Sequence, residues 1–185
     1  MFPSVTKILA PYSGIEDLRR RFPDVIERAA QRGTVVHGYC ESSAKGLPPV
    51  GIPDTVRGYW QSFMLWFADV EEVIAMELRL FDMALGFHGQ MDIICRMRGD
   101  RHPSLWDYKT PHVVSPTWGA QIAAYAHLAE LGGYPVKRAG MIRMRKTGRP
   151  PLITEYTDSM RRNWNVFVSA LNVHNAFFAG KGRRK

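Results

Sequence analysis

The order of sequence patterns predicts an α/β domain (mixed α+β) with one central mixed β-sheet flanked by helices. Helical patterns come first, and three strands, a helix, two strands and a final helix follow. The 185 residues, 45% of them hydrophobic, are enough for one domain with a sizeable core. We therefore expect residues 1–185 to form a single domain.

Three helices are predicted in the N-terminal third of the chain, over residues 15–31, 34–43 and 54–70. Within the first, Pro23 is expected to split or kink the helix because its ring clashes with the preceding turn. Gly33 is expected to break the helical pattern before the second helix. A Pro- and Gly-rich loop over 46–53 precedes the third helix, which Asp54 or Thr55 could cap. We assign the aromatic stripe of this third helix to the core.

The pattern changes after Glu71 to three successive strands, over residues 73–81, 85–97 and 104–109. A tight turn near Asp82 and Met83 is expected to join the first two. The remaining elements are a helix over 118–131, strands over 138–145 and 152–156, and a final helix from Asp158 to about Ala179. Gly132-Gly133 is expected to end the first of these two helices.

The net charge of +8 and the pI of 9.8 favour a polyanionic partner, either nucleic acid or anionic lipid. Apolar runs such as residues 63–68 are too short to span a bilayer, so we expect no membrane insertion. The N-terminus has no basic segment followed by an apolar stretch, which favours the cytoplasm. The basic tail over 181–185 is predicted to be disordered, and a solubilising role and a phosphate-contacting role are both open.

The two cysteines, Cys40 and Cys95, limit the cofactors that the chain can hold. Two thiols cannot form a four-cysteine zinc or iron–sulfur site, so we expect no iron–sulfur cluster. Because both lie in apolar or mixed surroundings, we interpret them as buried free thiols rather than as a disulfide framework.

The triplet Asp107-Tyr108-Lys109 places a carboxylate and an ammonium on one face of a predicted strand, since strand residues two apart point the same way. Such a pair is also a plain salt-bridge geometry. Asp92 lies in the preceding strand, and if the two strands are adjacent its carboxylate converges with that of Asp107. Two like charges in one place require a cation or a proton. An oxygen-rich site of this kind suits Mg²⁺, with Mn²⁺ able to substitute.

Two glycines and two helical pairs accompany these residues. Gly86 and Gly89 could let the backbone bend or approach a ligand, or could form a bulge without function. His37 and Glu41 lie four residues apart and share a helix face, as do Gln121 and Tyr125. His37 could supply a nitrogen ligand or be a satisfied core residue, and the second pair could simply be a polar edge.

Together these pieces resemble the RecB-type nucleases of the PD-(D/E)XK superfamily. That family has the ordered patterns Gly-x-x-x-His, Gly-x-x-Asp, (Asp/Glu)-x-Lys and Gln-x-x-x-Tyr. Here they read Gly33-Thr-Val-Val-His37, Gly89-Gln-Met-Asp92, Asp107-Tyr-Lys109 and Gln121-Ile-Ala-Ala-Tyr125. Each pattern is weak alone, and their conjunction in order within residues 33–125 is specific.

The resemblance implies a restriction-endonuclease-like core and a role for each matched position. Metal binding falls to the side chains of His37, Asp92 and Asp107 and to the backbone carbonyl of Tyr108. Lys109 would orient or activate the attacking water and stabilise charge on the phosphate. Gln121 and Tyr125 would line the site and meet the DNA strand. Glu41 and Glu77 are second-rank candidates, and Glu77 could equally be an exposed acid on the polar face of its strand.

The implied activity is that of an Mg²⁺-dependent deoxyribonuclease, similar to the small exonucleases of phage recombination systems. Those enzymes degrade linear DNA from an end and work with a single-strand annealing protein, so DNA recombination or repair is the expected setting. A structure- or site-specific endonuclease on the same fold and a non-catalytic DNA-binding module are the alternatives. The chain has no Gly-x-x-x-x-Gly-Lys-(Ser/Thr) loop, no Gly-x-Ser-x-Gly elbow and no dinucleotide fingerprint.

Overall fold

The structure, a computed structural model, describes residues 2–47, 49–111 and 113–178. A five-stranded mixed sheet flanked by helices forms its centre, which confirms the predicted α/β class. The strands are β1 (Val70–Asp82), β2 (Phe87–Met97), β3 (Ser104–Lys109), β4 (Arg138–Arg143) and β5 (Leu152–Glu155). The helices are α1 (Val5–Leu9), α2 (Ile15–Arg21), α3 (Pro23–Ala44), α4 (Asp54–Phe67), α5 (Trp118–Leu131) and α6 (Met160–Phe177). The basic tail over 181–185 and the predicted end of the last helix at Ala179 lie outside the described residues.

The strands lie in the order β1-β2-β3-β4-β5. Neighbours pair antiparallel except β3 and β4, which are parallel and are joined by the crossover helix α5. In this parallel pair Asp107 lies opposite Met141 and Lys109 lies opposite Arg143. The carboxyl ends of β3 and β4 therefore meet at one edge of the sheet, and the loops that follow them begin side by side.

Both faces of the sheet are covered. Helices α1, α5 and α6 pack on one face around buried residues that include Phe87, Leu128 and Phe167. Helices α3 and α4 pack on the other face, where Phe63 and Tyr108 are buried. Burial on both faces is consistent with β3, in which five of the six residues are buried and do not alternate with exposed ones.

Helix α3 runs from Pro23 through Gly33 to Ala44, so the predicted helix break at Gly33 is wrong. The split at Pro23 is confirmed, with proline in the first turn of α3, where its missing N–H is tolerated. A glycine inside a helix costs about 1 kcal/mol relative to alanine, which packing can offset. Val36 and Cys40 are buried in the core on the same helix, so tertiary contacts hold α3 together across Gly33.

The chain begins with helix α1, which the sequence pattern did not reveal. Five residues are too few to display helical periodicity. Ser4 caps it, since its Oγ accepts a hydrogen bond from the Lys7 backbone N–H at 3.2 Å. At the other end of the chain, Asp158 lies in the 3₁₀ turn Thr157–Ser159 before α6 rather than at the helix cap.

Two further expectations are confirmed. Cys40 and Cys95 are buried and not linked to each other. The turn that joins β1 and β2 follows Asp82, whose carboxylate accepts backbone hydrogen bonds from Ala84 and Leu85 at 2.9 and 2.8 Å. Within the described ranges, no helix is both long enough and apolar enough to cross a membrane.

Candidate functional site

One cleft of about 490 Å³ gathers residues from both sides of the sheet. It contains seven of the candidate side chains: His37, Glu77, Asp92, Asp107, Lys109, Gln121 and Tyr125. They come from α3, the three strands β1 to β3 and α5. The expected adjacency of the strands that carry Asp92 and Asp107 is confirmed by the pairing of β2 with β3.

Asp92 lies where β2 and β3 separate. The pairing of the two strands ends at Ile93 opposite Trp106, and beyond it the Asp92 side chain replaces the next backbone partner. Its Oδ2 accepts a hydrogen bond from the Tyr108 backbone N–H at 2.5 Å, and its Oδ1 lies 3.3 Å from His37 Nδ1. Since the N–H and C=O of one strand residue point to the same edge, the Tyr108 carbonyl also faces Asp92.

Asp107 and Lys109 project from the same face of β3, as the alternation predicts, and form an ion pair. Asp107 is 3% exposed, and its Oδ1 also accepts a hydrogen bond from Gln121 Nε2 at 3.2 Å. Burial raises the pKa of Asp107, the Lys109 ammonium lowers it and the Asp92 carboxylate raises it, for a net pKa of about 6. The ionised form is therefore costly in the absence of further positive charge.

A compact set of possible metal-ligand atoms is formed by His37, Glu77 and Asp92, which lie within 4.8 Å of one another. This set differs from the expected one: among the described residues it includes Glu77, whereas Asp107 lies beside it and contacts Lys109 and Gln121. Glu77 is thus better placed than its second rank suggested.

Glu77 has a φ of 48°, the left-handed conformation that side chains other than glycine rarely adopt. It faces Asp92 across the β1–β2 pair, because Met76 pairs with Ile93 and Leu78 with Met91 on either side. Gln90 Nε2 donates a hydrogen bond to Glu77 Oε2 at 2.5 Å. Strain of this kind persists only where surrounding contacts hold it, and such residues cluster at functional sites.

At Glu77 and Asp92, the regular alternation of side chains between the two faces of the sheet is interrupted. Met91 and Leu78 pack in the core beside α5, whereas Ile93 and Met76, two residues away on each strand, pack in the core beside α4. An uninterrupted strand would place residues two apart on the same face. Glu77 and Asp92 lie between these residues and belong to neither core. Their carboxylates therefore lie close to His37.

His37 has a raised pKa, since burial lowers it but the nearby Asp92 carboxylate outweighs burial. Its ring also stands edge-on to the Tyr108 ring, with centroids 5.5 Å apart. The raised pKa of Glu77 reflects burial, partly offset by the hydrogen bond from Gln90, with repulsion from Asp92 adding to it. A divalent cation would satisfy the negative charge that both groups experience, so the donor set fits Mg²⁺ or Mn²⁺.

Gln121 and Tyr125 lie one turn apart on α5, with Gln121 Nε2 donating to the Tyr125 hydroxyl at 3.1 Å. The ring of Tyr125 fits against β2 because position 89 is glycine: a Cβ there would lie 2.7 Å from Tyr125 Cε1. Gly89 thus serves close packing of α5, and Gly86, with φ of 74°, serves the turn before β2. The turn at Gly86 corresponds to the bend that was one alternative for these glycines, and Gly89 also lines the cleft.

Glu41 lies apart from the main cleft. It forms an ion pair with Lys45 on the surface of α3 and lines an adjoining cleft of about 440 Å³ together with His37 and Glu77. The geometry gives it no contact with Asp92 or Asp107 among the described residues.

Five further residues line the main cleft without having been predicted: Ser4, Thr6, Arg79, His88 and Gln90. Gln90 joins Glu77 to Arg79, whose Nη2 donates to Gln90 Oε1 at 2.8 Å. Its position two residues before Asp92 is a signal that could have identified it. Ser4 caps the N-terminal helix and Thr6 lies within it, and the sequence has no periodic signal for this helix.

Comparisons with known proteins leave the family open. No family model matches the chain, and no curated protein matches it. A crystal structure of SSO0001 is similar with a TM-score of 0.44 and 16% identity, over 94% of this chain and 76% of that one. A similarity of this size is too low to support an argument about function.

Proposed function

We propose that this chain is a metal-dependent deoxyribonuclease of the PD-(D/E)XK type that hydrolyses phosphodiester bonds in DNA. The observation that carries the proposal is the buried Asp107–Lys109 pair beside the three-residue group His37, Glu77 and Asp92 in one cleft. The order of the four sequence patterns and the net charge of +8 support it.

The residues divide into two sets by chemistry. His37, Glu77 and Asp92 would hold the cation, with Asp107 and the Tyr108 carbonyl at its border. When bound, Mg²⁺ or Mn²⁺ supplies Lewis acidity to the phosphate and acidifies water. Lys109 would supply a compact positive charge where the attacking water and the phosphate oxygens meet. Asp107 would orient the Lys109 ammonium through their ion pair.

Gln121 and Tyr125 would contact the DNA strand from α5. Both are buried at one wall of the cleft, with relative exposures of 6% and 4%, so their polar atoms are already oriented before substrate arrives. By resemblance, the setting is cytoplasmic DNA recombination or repair, with a single-strand annealing protein as partner and linear DNA as substrate.

The decisive experiment compares matched linear and covalently closed circular DNA, each with Mg²⁺ and with chelator. Loss of the linear form alone, and only with metal, would establish an end-dependent exonuclease. Cutting of the circle would assign an endonuclease. If neither DNA is cleaved with Mg²⁺ or Mn²⁺ while both are bound, the chain is a DNA-binding module and the proposal fails.

Replacing Lys109 by alanine is expected to lower the cleavage rate by about 10²- to 10⁴-fold, the range typical of a positioned catalytic group. The fold should survive because Asp107 can take up a proton once the ammonium is gone. Initial rates and circular dichroism test both statements. Lys45→Ala, which removes a lysine from a surface ion pair, is the matched control and should keep wild-type rates.

A further inference from the structure

A second cleft, of about 310 Å³, opens at the carboxyl ends of β3 and β4. Four cationic side chains line it: Arg143, Arg145, Lys146 and Arg149. Tyr59 from α4 and Thr110 contribute to its wall, and among the described lining residues none is acidic. We refer to this cleft as the basic pocket. None of its lining residues belongs to the candidate metal cleft.

The basic pocket begins one residue beyond the candidate catalytic lysine. Thr110 and Pro111 follow Lys109 directly in the chain and line the pocket. The Met144 backbone N–H donates to the Lys109 carbonyl at 2.8 Å, which ties the start of the basic loop to the end of β3. The two clefts therefore both include residues at the end of β3, Lys109 in the metal cleft and Thr110 in the basic pocket.

The loop that carries these cations is held firmly on α4. The Arg145 backbone N–H donates to Ser62 Oγ at 3.0 Å. Gly58 admits the loop to direct contact, since a Cβ there would lie only 1.8 Å from the Lys146 carbonyl oxygen. Gly148 turns the chain with φ of 74°. The cations thus project from a fixed backbone, which reduces the entropy lost when they bind a ligand.

Some arginines of the protein have carboxylate partners, whereas Arg145 and Arg149 of the basic pocket have none among the described residues. Arg138, for example, pairs with Asp100 at 2.6 Å and with Glu155 at 2.5 Å. For Arg145, Lys146 and Arg149, no carboxylate of a described residue lies within ion-pair distance. Clustered positive charges without counter-charge are suited to an anion, and guanidinium groups match phosphate oxygens with paired hydrogen bonds.

A further arginine lies against Tyr59, which lines the pocket. The guanidinium of Arg32 lies over the ring of Tyr59, 5.6 Å from its centroid. Its Nε is buried and has no hydrogen-bond acceptor among the described residues. This group adds positive potential beside a residue of the pocket wall.

We propose that the basic pocket binds a DNA phosphodiester. This phosphodiester would be the neighbour, on the same strand, of the phosphodiester that is cleaved. The inference rests on the proposed function and extends it from the reacting phosphate to the position of the strand. Contacts to backbone phosphates fix the register of a nucleic acid without reading its sequence. The pocket would hold the strand so that the next phosphate lies between Lys109 and the metal ligands.

The test uses the intact protein with two substrates, a single-stranded oligonucleotide and the small diester bis(4-nitrophenyl) phosphate. The variants are Arg145→Ala, Lys146→Ala and Arg149→Ala, with Arg101→Ala as control. Arg101 is an exposed arginine in the β2–β3 turn, before β3 and so at the opposite end of that strand from the pocket. Each pocket variant should weaken oligonucleotide binding about tenfold and lower the slope of log K against log salt by about 0.7. Hydrolysis of the small diester should be unchanged.

The outcomes separate this inference from the proposed function. If the wild-type protein hydrolyses neither substrate but the salt slope still falls in the pocket variants alone, the nuclease proposal fails and the phosphate subsite stands. Pocket variants that bind the oligonucleotide with the wild-type affinity and slope would overturn the subsite. So would a loss for Arg101→Ala equal to theirs, or a parallel loss of small-diester hydrolysis.

Discussion

The carboxyl group of Asp107 ties the stability of the protein to its chemistry. A carboxyl whose pKa is raised in the folded state binds its proton more tightly there than in the unfolded chain. Well below pH 3.8 both states are protonated and the group has no effect. As pH rises through its unfolded pKa of 3.8 towards the folded value of about 6, the metal-free protein loses stability, and the loss persists above that range.

Asp107→Asn is therefore expected to stabilise the metal-free protein at pH 8 by about 1–3 kcal/mol while abolishing cleavage. At pH 3.5 the difference should become small because Asp107 is then protonated in the folded protein and mostly protonated in the unfolded chain. Urea unfolding in chelator at both pH values measures this. Asp54→Asn, which alters an acid with 91% of its side chain exposed, is the control and should show no such gain. A variant less stable than the wild type at pH 8 would contradict the account.

The left-handed backbone of Glu77 leads to a second residue-scale prediction. Glycine adopts this conformation without strain, so Glu77→Gly should keep or raise the free energy of unfolding, by up to about 1 kcal/mol. The same change removes a possible ligand and should weaken Mn²⁺ binding about tenfold or more. Glu77→Gln should lose the binding without the gain. Calorimetric titration with Mn²⁺ and thermal unfolding test the two effects, and wild-type Mn²⁺ affinity in both variants would exclude Glu77 from the site.

Most of the candidate side chains named from the sequence line one cleft, and the closeness of Glu77 to His37 and Asp92 was not predicted for a physical reason. Asp107 and Lys109 share a face because strand alternation is local and holds throughout β3. Glu77 lies near His37 because the alternation of side chains on β1 and β2 is interrupted there. On either side of this point, residues two apart pack in different cores. Such an interruption depends on partners from other elements, so local periodicity does not encode it.

At the scale of elements, local patterns succeeded where they were long and clearly bounded. Helix α5 has the predicted bounds of residues 118 and 131, with Gly132-Gly133 at its end. The predicted helix break at Gly33 was wrong because an interior glycine only weakly disfavours a helix, and the packing of α3 overrides it. Helix α1 was missed because its stability comes from Val5, Ile8 and Leu9 in the core and not from its own length.

The contact between β2 and α5 provides an element-scale prediction. Gly89→Ala should destabilise the protein by about 1–3 kcal/mol, because its Cβ would lie 2.7 Å from the Tyr125 ring and 2.9 Å from Leu128 Cδ1. Gly38→Ala is the matched control: nothing lies within 4 Å of its Cβ, and in a helix alanine should stabilise by up to about 1 kcal/mol. Denaturant unfolding of both variants decides, and a neutral Gly89→Ala would show that α5 can move away.

At the scale of the whole molecule, the candidate site depends on the complete fold. Its side chains come from α3, β1, β2, β3 and α5, and the helices lie on opposite faces of the sheet. Anything that binds these side chains together binds the native state and not the unfolded chain. Metal binding should therefore appear as added global stability.

Mn²⁺ is expected to raise the unfolding temperature at pH 8 and to do so far less at pH 5.5. At a concentration 100 times Kd the gain corresponds to about 2.7 kcal/mol. Protons compete at low pH because the pKa of His37 is raised and that of Asp107 is about 6. Thermal unfolding with and without Mn²⁺ tests this. His37→Gln should abolish the shift and His174→Gln should retain it, and equal shifts at both pH values would rule out a role for these groups.

The burial of α5 limits which substitutions this helix can accept during evolution. Ten of its fourteen residues are buried, so it has almost no solvent-facing side on which substitutions are harmless. Its small residues, among them Ala120, Ala123 and Ala124, can be replaced only together with the strands and helices that they contact. Helix α3 buries only Val36 and Cys40 and can drift on its outer side. We therefore expect the sequence of α5 to diverge more slowly than that of α3.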